Sequence, residues 1–212
     1  MPCSPTRWVT PTALRPTRRS GPERCRCARR QAVEMRVIAG RYGGRGLVAP
    51  RGSATRPTSD RVREALFSIL GDVTSARVLD LFAGSGALAI EALSRGAAAA
   101  TLVDSSPAAA SAIRRNLDAL GASAEVQRRP VLGFLGAARG ERRQYDLVFL
   151  DPPYRHASSL SAELTAALAP VLAPSARVVA ESDRRHPLQL ELEQRDERRY
   201  GDTLIQIHHA PR

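Results

Sequence analysis

Val78-Leu79-Asp80-Leu81-Phe82-Ala83-Gly84-Ser85-Gly86 carries an apolar stretch directly into a small-residue turn, and Gly86 to Arg95 continues at helical spacing. Strand, tight turn and helix therefore follow one another without a linker. Gly84 and Gly86 let the backbone come close to a ligand. No third glycine and no Lys-Ser/Thr pair follows, so neither a dinucleotide fingerprint nor a phosphate loop is present. In open α/β sheets, ligands bind at the carboxyl ends of strands, which is where this turn lies.

The same alternation extends to both sides. Ala99 to Val103 reads as a strand, Pro107 to Leu120 as a helix closed by Gly121, Ala124 to Arg128 as a weak strand and Val131 to Ala138 as a short helix. Tyr145 to Leu150, Ser158 to Leu172 and Ala176 to Ala180 then read as strand, helix and strand. The alternation stops there: Leu188 to Glu193 and Thr203 to His208 read as two strands joined through Tyr200-Gly201-Asp202. Repeated βαβ units imply an α/β fold, a parallel sheet covered on both faces. The closing hairpin implies an antiparallel strand at its edge. Asp104, directly after the strand Ala99 to Val103, is placed to accept hydrogen bonds from a ribose diol.

Upstream, Arg36-Val37-Ile38-Ala39 and Arg45-Gly46-Leu47-Val48-Ala49 read as strands joined by the glycine-rich turn Gly40 to Gly44, an N-terminal β-hairpin. Arg56-Pro57-Thr58-Ser59-Asp60 then offers a helix start, with Val62, Ala65, Leu66, Ile69 and Leu70 at helical spacing behind it.

A second stretch carries chemistry: Tyr145-Asp146-Leu147-Val148-Phe149-Leu150-Asp151-Pro152-Pro153-Tyr154. An apolar strand ends in a carboxylate, two prolines and an aromatic ring. The amino group of a nucleobase is a poor nucleophile because its lone pair is delocalised into the ring. Catalysis there requires fixed acceptors for its hydrogens. Asp151 offers one acceptor and the Pro152 carbonyl another, and the prolines stiffen the loop beforehand. Tyr154 offers a face on which a base can stack.

Composition sets the class of partner. The chain has 212 residues and a formal net charge of +11, with every basic residue an Arg. A basic surface favours polyanions. Residues 1–34 hold eight Arg against Glu23 and Glu34, so over half of the charge sits there. That segment, rich in Arg and Pro and without periodicity, reads as a disordered tail, or as sequence upstream of a translation start at Met35. All three cysteines, Cys3, Cys25 and Cys27, lie in it, at a spacing unsuited to a zinc or redox pair. No apolar run reaches the roughly 18 residues of a membrane span. The reading is a cytoplasmic protein, monomeric, with no membrane and no metal.

The blocks Asp80-Leu81-Phe82-Ala83-Gly84-Ser85-Gly86 and Asp151-Pro152-Pro153-Tyr154, in this order, resemble the class I S-adenosylmethionine-dependent amino-methyltransferases. Met35-Arg36-Val37-Ile38-Ala39-Gly40 and Arg56-Pro57-Thr58, with Arg61-Val62-Arg63-Glu64-Ala65-Leu66-Phe67, narrow the resemblance to the RsmD family, bacterial enzymes that methylate guanine N2 in 16S ribosomal RNA. The resemblance covers Met35 to about His209. It implies a Rossmann-like seven-stranded, mostly parallel sheet with the last strand antiparallel. The implied organisation is a tail over 1–34, an RNA-binding hairpin over 35–57 and a methyltransferase domain over 58–212. It further implies that Asp151, Pro152 and Tyr154 are catalytic and that Asp80, Phe82, Ala83, Gly84, Gly86 and Asp104 bind S-adenosyl-L-methionine, with Asp80, Gly84 and Gly86 facing its methionine part and Asp104 its ribose. Such enzymes place an acid after the third strand, near the adenine; here Pro130 occupies that place. The implied partner is 16S rRNA or the small ribosomal subunit.

Arg36, Arg41, Arg45, Arg56, Thr58 and Arg63 are the candidate RNA contacts, because Arg36 to Arg63 sets seven arginines against the single acid Asp60. His156 reads as loop surface. Two rival readings stand: a DNA adenine-N6 or cytosine-N4 methyltransferase, which shares Asp-Pro-Pro-Tyr, and a non-catalytic RNA-binding module on the same fold.

Overall fold

Each crossover between parallel strands is a helix, and local chemistry marks several of the helix ends. The computed structural model describes residues 35–51, 59–152 and 157–210, all within one compact unit, Val33–Arg212. In chain order the elements are β1 (Met35–Arg36), β2 (Gly46–Leu47), α1 (Asp60–Leu70), β3 (Arg77–Leu81), α2 (Ala87–Ser94), β4 (Ala99–Val103), α3 (Pro107–Leu120), β5 (Glu125–Gln127), α4 (Val131–Gly140), β6 (Tyr145–Leu150), α5 (Ala157–Leu168), β7 (Leu172–Asp183), β8 (Glu193–Tyr200) and β9 (Thr203–His209). The Ser59 and Ser106 hydroxyls cap α1 and α3 by accepting from Val62 and Ala109 N–H. Gly121 ends α3 in the left-handed conformation.

The main sheet has seven strands in the order β5-β4-β3-β6-β7-β9-β8. Strands β5, β4, β3, β6 and β7 are mutually parallel, and β9 runs antiparallel to both of its neighbours. The expected Rossmann-like sheet with its last strand antiparallel is therefore present, with one correction. The antiparallel strand is not the edge. It is inserted between β7 and β8, and β8 forms the edge.

The edge strand is also displaced from its expected position. Leu188 and Leu190 are buried, but in the loop before β8, where they plug the core beneath β7. The strand itself is the charged run Glu193–Tyr200, with a register shift between Gln194 and Asp196. An edge strand facing water has no need of the apolar alternation by which a buried strand is recognised.

Two clusters of apolar side chains sandwich the sheet. One face packs Val78, Leu147, Phe149 and Val179 against α1, α2, α3 and the hairpin; the other packs Leu79, Val148, Leu150 and Ala180 against α4 and α5. Burying a Leu or Phe side chain fully is worth about 1.5–3 kcal/mol, so these faces hold the layers together. The Phe67 ring of α1 lies 5.9 Å from that of Phe149. At the very C-terminus of α1, nearer the amino ends of the strands, the Arg177 guanidinium donates to the carbonyls of Leu70 and Asp72. The first residues of α1 thus point toward the carboxyl ends of the strands. Among the described residues no helix is long and apolar enough to cross a membrane.

The hairpin is shorter than its sequence suggests. Its strands pair only over Met35–Leu47 and Arg36–Gly46. Ile38 and Ala39 leave the ladder because their N–H groups donate to the carboxylate of Glu91 on α2, at 2.7 and 3.1 Å. Arg41 N–H donates to the Ser94 carbonyl and Tyr42 N–H to the Ser94 hydroxyl. On the returning strand, Val48 exchanges two hydrogen bonds with the side chain of Asn116 on α3.

Candidate active site at the carboxyl ends of the strands

After β3 the chain turns sharply. Phe82 takes a positive φ of 63°, which L side chains rarely adopt, and Gly84 and Gly86 follow at 55° and 79°. The turn is closed by Ala83 N–H to the Val103 carbonyl at 3.1 Å and Gly86 N–H to the Ala83 carbonyl at 2.7 Å. The two glycines serve different ends. A Cβ at Gly86 would stand 2.7 Å from the Leu102 side chain, so this residue lets helix and sheet pack. A Cβ at Gly84 would meet nothing nearer than 3.9 Å, so its backbone borders open space.

Asp104 follows β4 and is half-buried. One carboxylate oxygen accepts the Gly84 N–H at 2.9 Å and the other the Ser106 N–H at 2.8 Å. It fixes the turn through the Gly84 N–H. Asp80 lies under the turn, almost wholly buried, and accepts Ala89 N–H at 3.2 Å. Gly86 has no side chain to cap α2, so the Asp80 carboxylate caps the first turn from below. Burial pushes the Asp80 carboxyl up to about 7; the Ala89 N–H opposes this and the charge of Asp104 adds to it. Phe82 is half-buried against the α4–α5 side, and Ala83 is buried.

Asp151 follows β6, on the strand beside β3. It keeps a partly open face and Pro152 is buried. Its carboxyl group is held well above the usual carboxylate range, by burial first, then by Glu181, then by Asp80. Phe149 pairs in register with Val179 and with Asp80. Side chains alternate across a strand, so Asp80, Asp151 and Glu181 share the face that carries α1 and the hairpin. Among the described residues no group of three His, Cys, Asp or Glu is arranged to hold a metal ion. Tyr154, with Pro153 and His156, lies outside the described residues.

The candidate RNA contacts divide. Arg36, Arg41 and Arg45 are exposed on the hairpin. Arg36 pairs with Asp60 at 3.2 Å, Arg41 lies over the Tyr42 ring at 5.5 Å, and Arg45 donates to the Ala119 carbonyl at 2.5 Å. Arg63 is a correction. It has no exposed surface, and it donates to Asp60 and to the Arg36 carbonyl at 2.6 Å each. Its place is beneath the hairpin, joining α1 to β1, and not on a phosphate-facing surface. Arg56 and Thr58 lie outside the described residues.

Three residues that matter here escaped the sequence reading. Glu91 is an acid within the apolar helix Ala-Leu-Ala-Ile-Glu-Ala-Leu-Ser, and that isolation was a signal of a buried partner. Asn116, also buried, donates to the carbonyls of Val48 and Ser85, so it ties the hairpin to the glycine turn. Glu181 is buried on the strand next to that of Asp151.

The family model described as conserved hypothetical protein 95 matches residues 35–209. The ribosomal RNA small subunit methyltransferase D of Escherichia coli K12 is 45% identical over 124 residues, which are 58% of this chain and 61% of that protein. The chain thus spans under two thirds of this relative's length. The solved structure of a hypothetical protein from Thermus thermophilus superposes with a TM-score of 0.72 at 31% identity, covering 82% of this chain and 98% of that one. A Thermus thermophilus 16S rRNA N2 G1207 methyltransferase, solved with AdoMet and guanosine, shares the fold at 19% identity and a TM-score of 0.63, covering 84% and 49% of the two chains.

Proposed function

Since the chain belongs to the conserved hypothetical protein 95 family, the RsmD family of methyltransferases, we propose that it methylates the exocyclic N2 of a guanine in 16S ribosomal RNA with S-adenosylmethionine as donor. The observation that carries this reading is the placement of Asp151-Pro152 beside the Gly84–Gly86 turn, at the carboxyl ends of adjacent strands β6 and β3.

The residues present fit the donor. The Gly84 backbone borders open space, Asp104 stands beside it for a ribose, and the buried acid Asp80 lies below for the cationic methionine end. When bound, the donor supplies a methyl group on a positively charged sulfur. Backbone beside Arg128, Arg129 and Pro130 takes the adenine in place of an acidic side chain.

Asp151 and the Pro152 carbonyl accept the amino hydrogens and aim the nitrogen lone pair at the methyl group. As the N–C bond forms, the methyl–sulfur bond breaks with its electron pair going to sulfur, which leaves as a neutral thioether; the amino proton becomes acidic, and Asp151 takes it. A carboxyl held above its usual range is a better acceptor than an ordinary aspartate, provided it is ionised. The target base is flipped out of its stack to reach this depth, and Tyr154 stacks on it. Arg36, Arg41 and Arg45 bind backbone phosphates around it, and Arg56 and Thr58 are further candidate RNA contacts. The enzyme acts as a monomer in the cytoplasm, and the resemblance to the RsmD family supports a target of the guanine-966 type.

The test is incubation of purified protein and S-adenosylmethionine with small subunits or 16S rRNA lacking the modification, followed by mass spectrometry of nucleosides. N2-methylguanine is expected with wild-type protein and is lost in Asp151→Ala with cofactor binding retained. Methylation of DNA adenine or cytosine instead would overturn the reading.

A further inference from the structure

Glu181 is buried at the end of β7, on the strand beside that of Asp151. Leu150 and Ala180 are the last paired residues of these parallel strands. Asp151 and Glu181 each follow by one, so they stand side by side, on backbones about 4.8 Å apart. Both belong to the face occupied by α1 and the hairpin. The charge of Glu181 is felt at the Asp151 carboxyl. The Gly84–Gly86 turn after β3 and Asp151-Pro152 after β6 mark the reacting centre independently, and Glu181 adjoins it from the far side.

The edges of the bases give this pair a meaning. Guanine carries two donors next to each other, the N2 amino group and the N1–H. Adenine and cytosine carry an amino group next to a ring nitrogen whose lone pair accepts. Two neighbouring carboxylates suit the first edge. Against the second, one carboxylate faces a lone pair and repels it.

We propose that Glu181 accepts the N1–H of the target guanine while Asp151 accepts from its N2 amino group, so that Glu181 selects guanine over bases lacking a ring N–H. This rests on the reading of the site as a guanine-N2 methyltransferase. Glu181 touches the base but takes no proton in the reaction, so its effect is on which base is accepted.

The test compares two RNA substrates, one with guanine and one with 2-aminopurine at the position the wild-type enzyme methylates. 2-Aminopurine keeps the amino group at C2, but its N1 is an acceptor. Wild-type protein should strongly prefer guanine. Glu181→Gln is nearly isosteric and offers an amide that can donate to N1. It should lower kcat/KM for guanine by about 10–100-fold, the scale of one charged hydrogen bond. It should raise kcat/KM for 2-aminopurine, so that the preference shrinks by at least the same factor. Calorimetric binding of S-adenosylmethionine by the variant should match wild type.

If Glu181→Gln keeps the wild-type preference, the proposal is overturned, whether both activities hold or both fall together; an equal fall marks a structural role. If the wild-type enzyme makes no N2-methylguanine on any RNA, the underlying reading fails first, and that outcome is visible without the variant.

Discussion

Glu91 of α2 and Ile38 of the hairpin meet at 2.7 Å, where a carboxylate with no exposed surface accepts a backbone N–H from 53 residues upstream. The same carboxylate accepts from Ala39 N–H at 3.1 Å and from Arg95 Nε at 2.7 Å. Removing it leaves two N–H groups and a guanidinium without their partner. Glu91→Ala should therefore cost about 3–5 kcal/mol, read as a lower midpoint in urea unfolding. Limited proteolysis should then cut first between residues 37 and 48. A loss under about 1 kcal/mol would show that the hairpin docks by other contacts.

The two glycines of the turn should fail differently. Gly86→Ala combines a left-handed φ with a Cβ 2.7 Å from Leu102, and should cost about 2–4 kcal/mol. Gly84→Ala has the φ cost alone, about 1–2 kcal/mol, but its methyl group enters the open side of the turn. Thermal melts should rank Gly86→Ala as the less stable, and calorimetry should rank Gly84→Ala as the weaker S-adenosylmethionine binder relative to its stability. Equal behaviour in both measurements would contradict these separate roles.

Asp80 makes the stability of the ligand-free protein depend on pH. Its folded value, about 7, lies above the ordinary 3.8. The stabilisation from this raised value is complete below about pH 4 and is lost as pH rises toward 7. At 1.36 kcal/mol per pH unit the change is on the order of 4 kcal/mol. Asp80→Asn keeps an acceptor for Ala89 N–H and has no charge to bury. Measured against wild type by urea unfolding, the variant should gain stability between pH 4 and pH 8 by that amount. A pH-independent difference would sink the assignment.

Methyl transfer should lose rate on the acid side at a pH above the ordinary carboxylate range. The burial of Asp151 and the neighbouring acids Glu181 and Asp80 raise its carboxyl group, and the protonated form cannot accept the amino proton. The pH dependence of kcat in wild type should show this acid limb. In Asp151→Asn the limb should vanish along with most of the rate, by about 10²–10⁴-fold. An unchanged limb in the variant would assign it to another group.

Much of this architecture was legible in the chain itself. β4, α3 and β6 fall where their patterns place them, because Ala99–Val103 and Tyr145–Leu150 are apolar runs and Ser106, Pro107 and Gly121 mark the ends of a helix. The turn and Asp151 were legible because backbone freedom and acceptor chemistry restrict the residue types there. What escaped was set by tertiary contact. β8 is mostly charged and is a strand because β9 lies beside it. Arg63 had the composition of a surface contact, but α1 turns it inward beneath the hairpin, where Asp60 and the Arg36 carbonyl receive it. The roles of Glu91 and Asn116 depend on partners more than 50 residues away.

The flanks of the sheet bear on how the protein behaves when crowded. Unpaired strand edges are templates for another chain. Here one edge, β5, is three residues long. The other, β8, holds Arg195, Arg198 and Arg199 in ion pairs with Glu193, Asp196 and Glu197, and its register is broken between Gln194 and Asp196. A strand adding there would have to strip water from this row of charges and match a broken ladder. A sequence that looked wrong for a strand is thus what guards the sheet against aggregation.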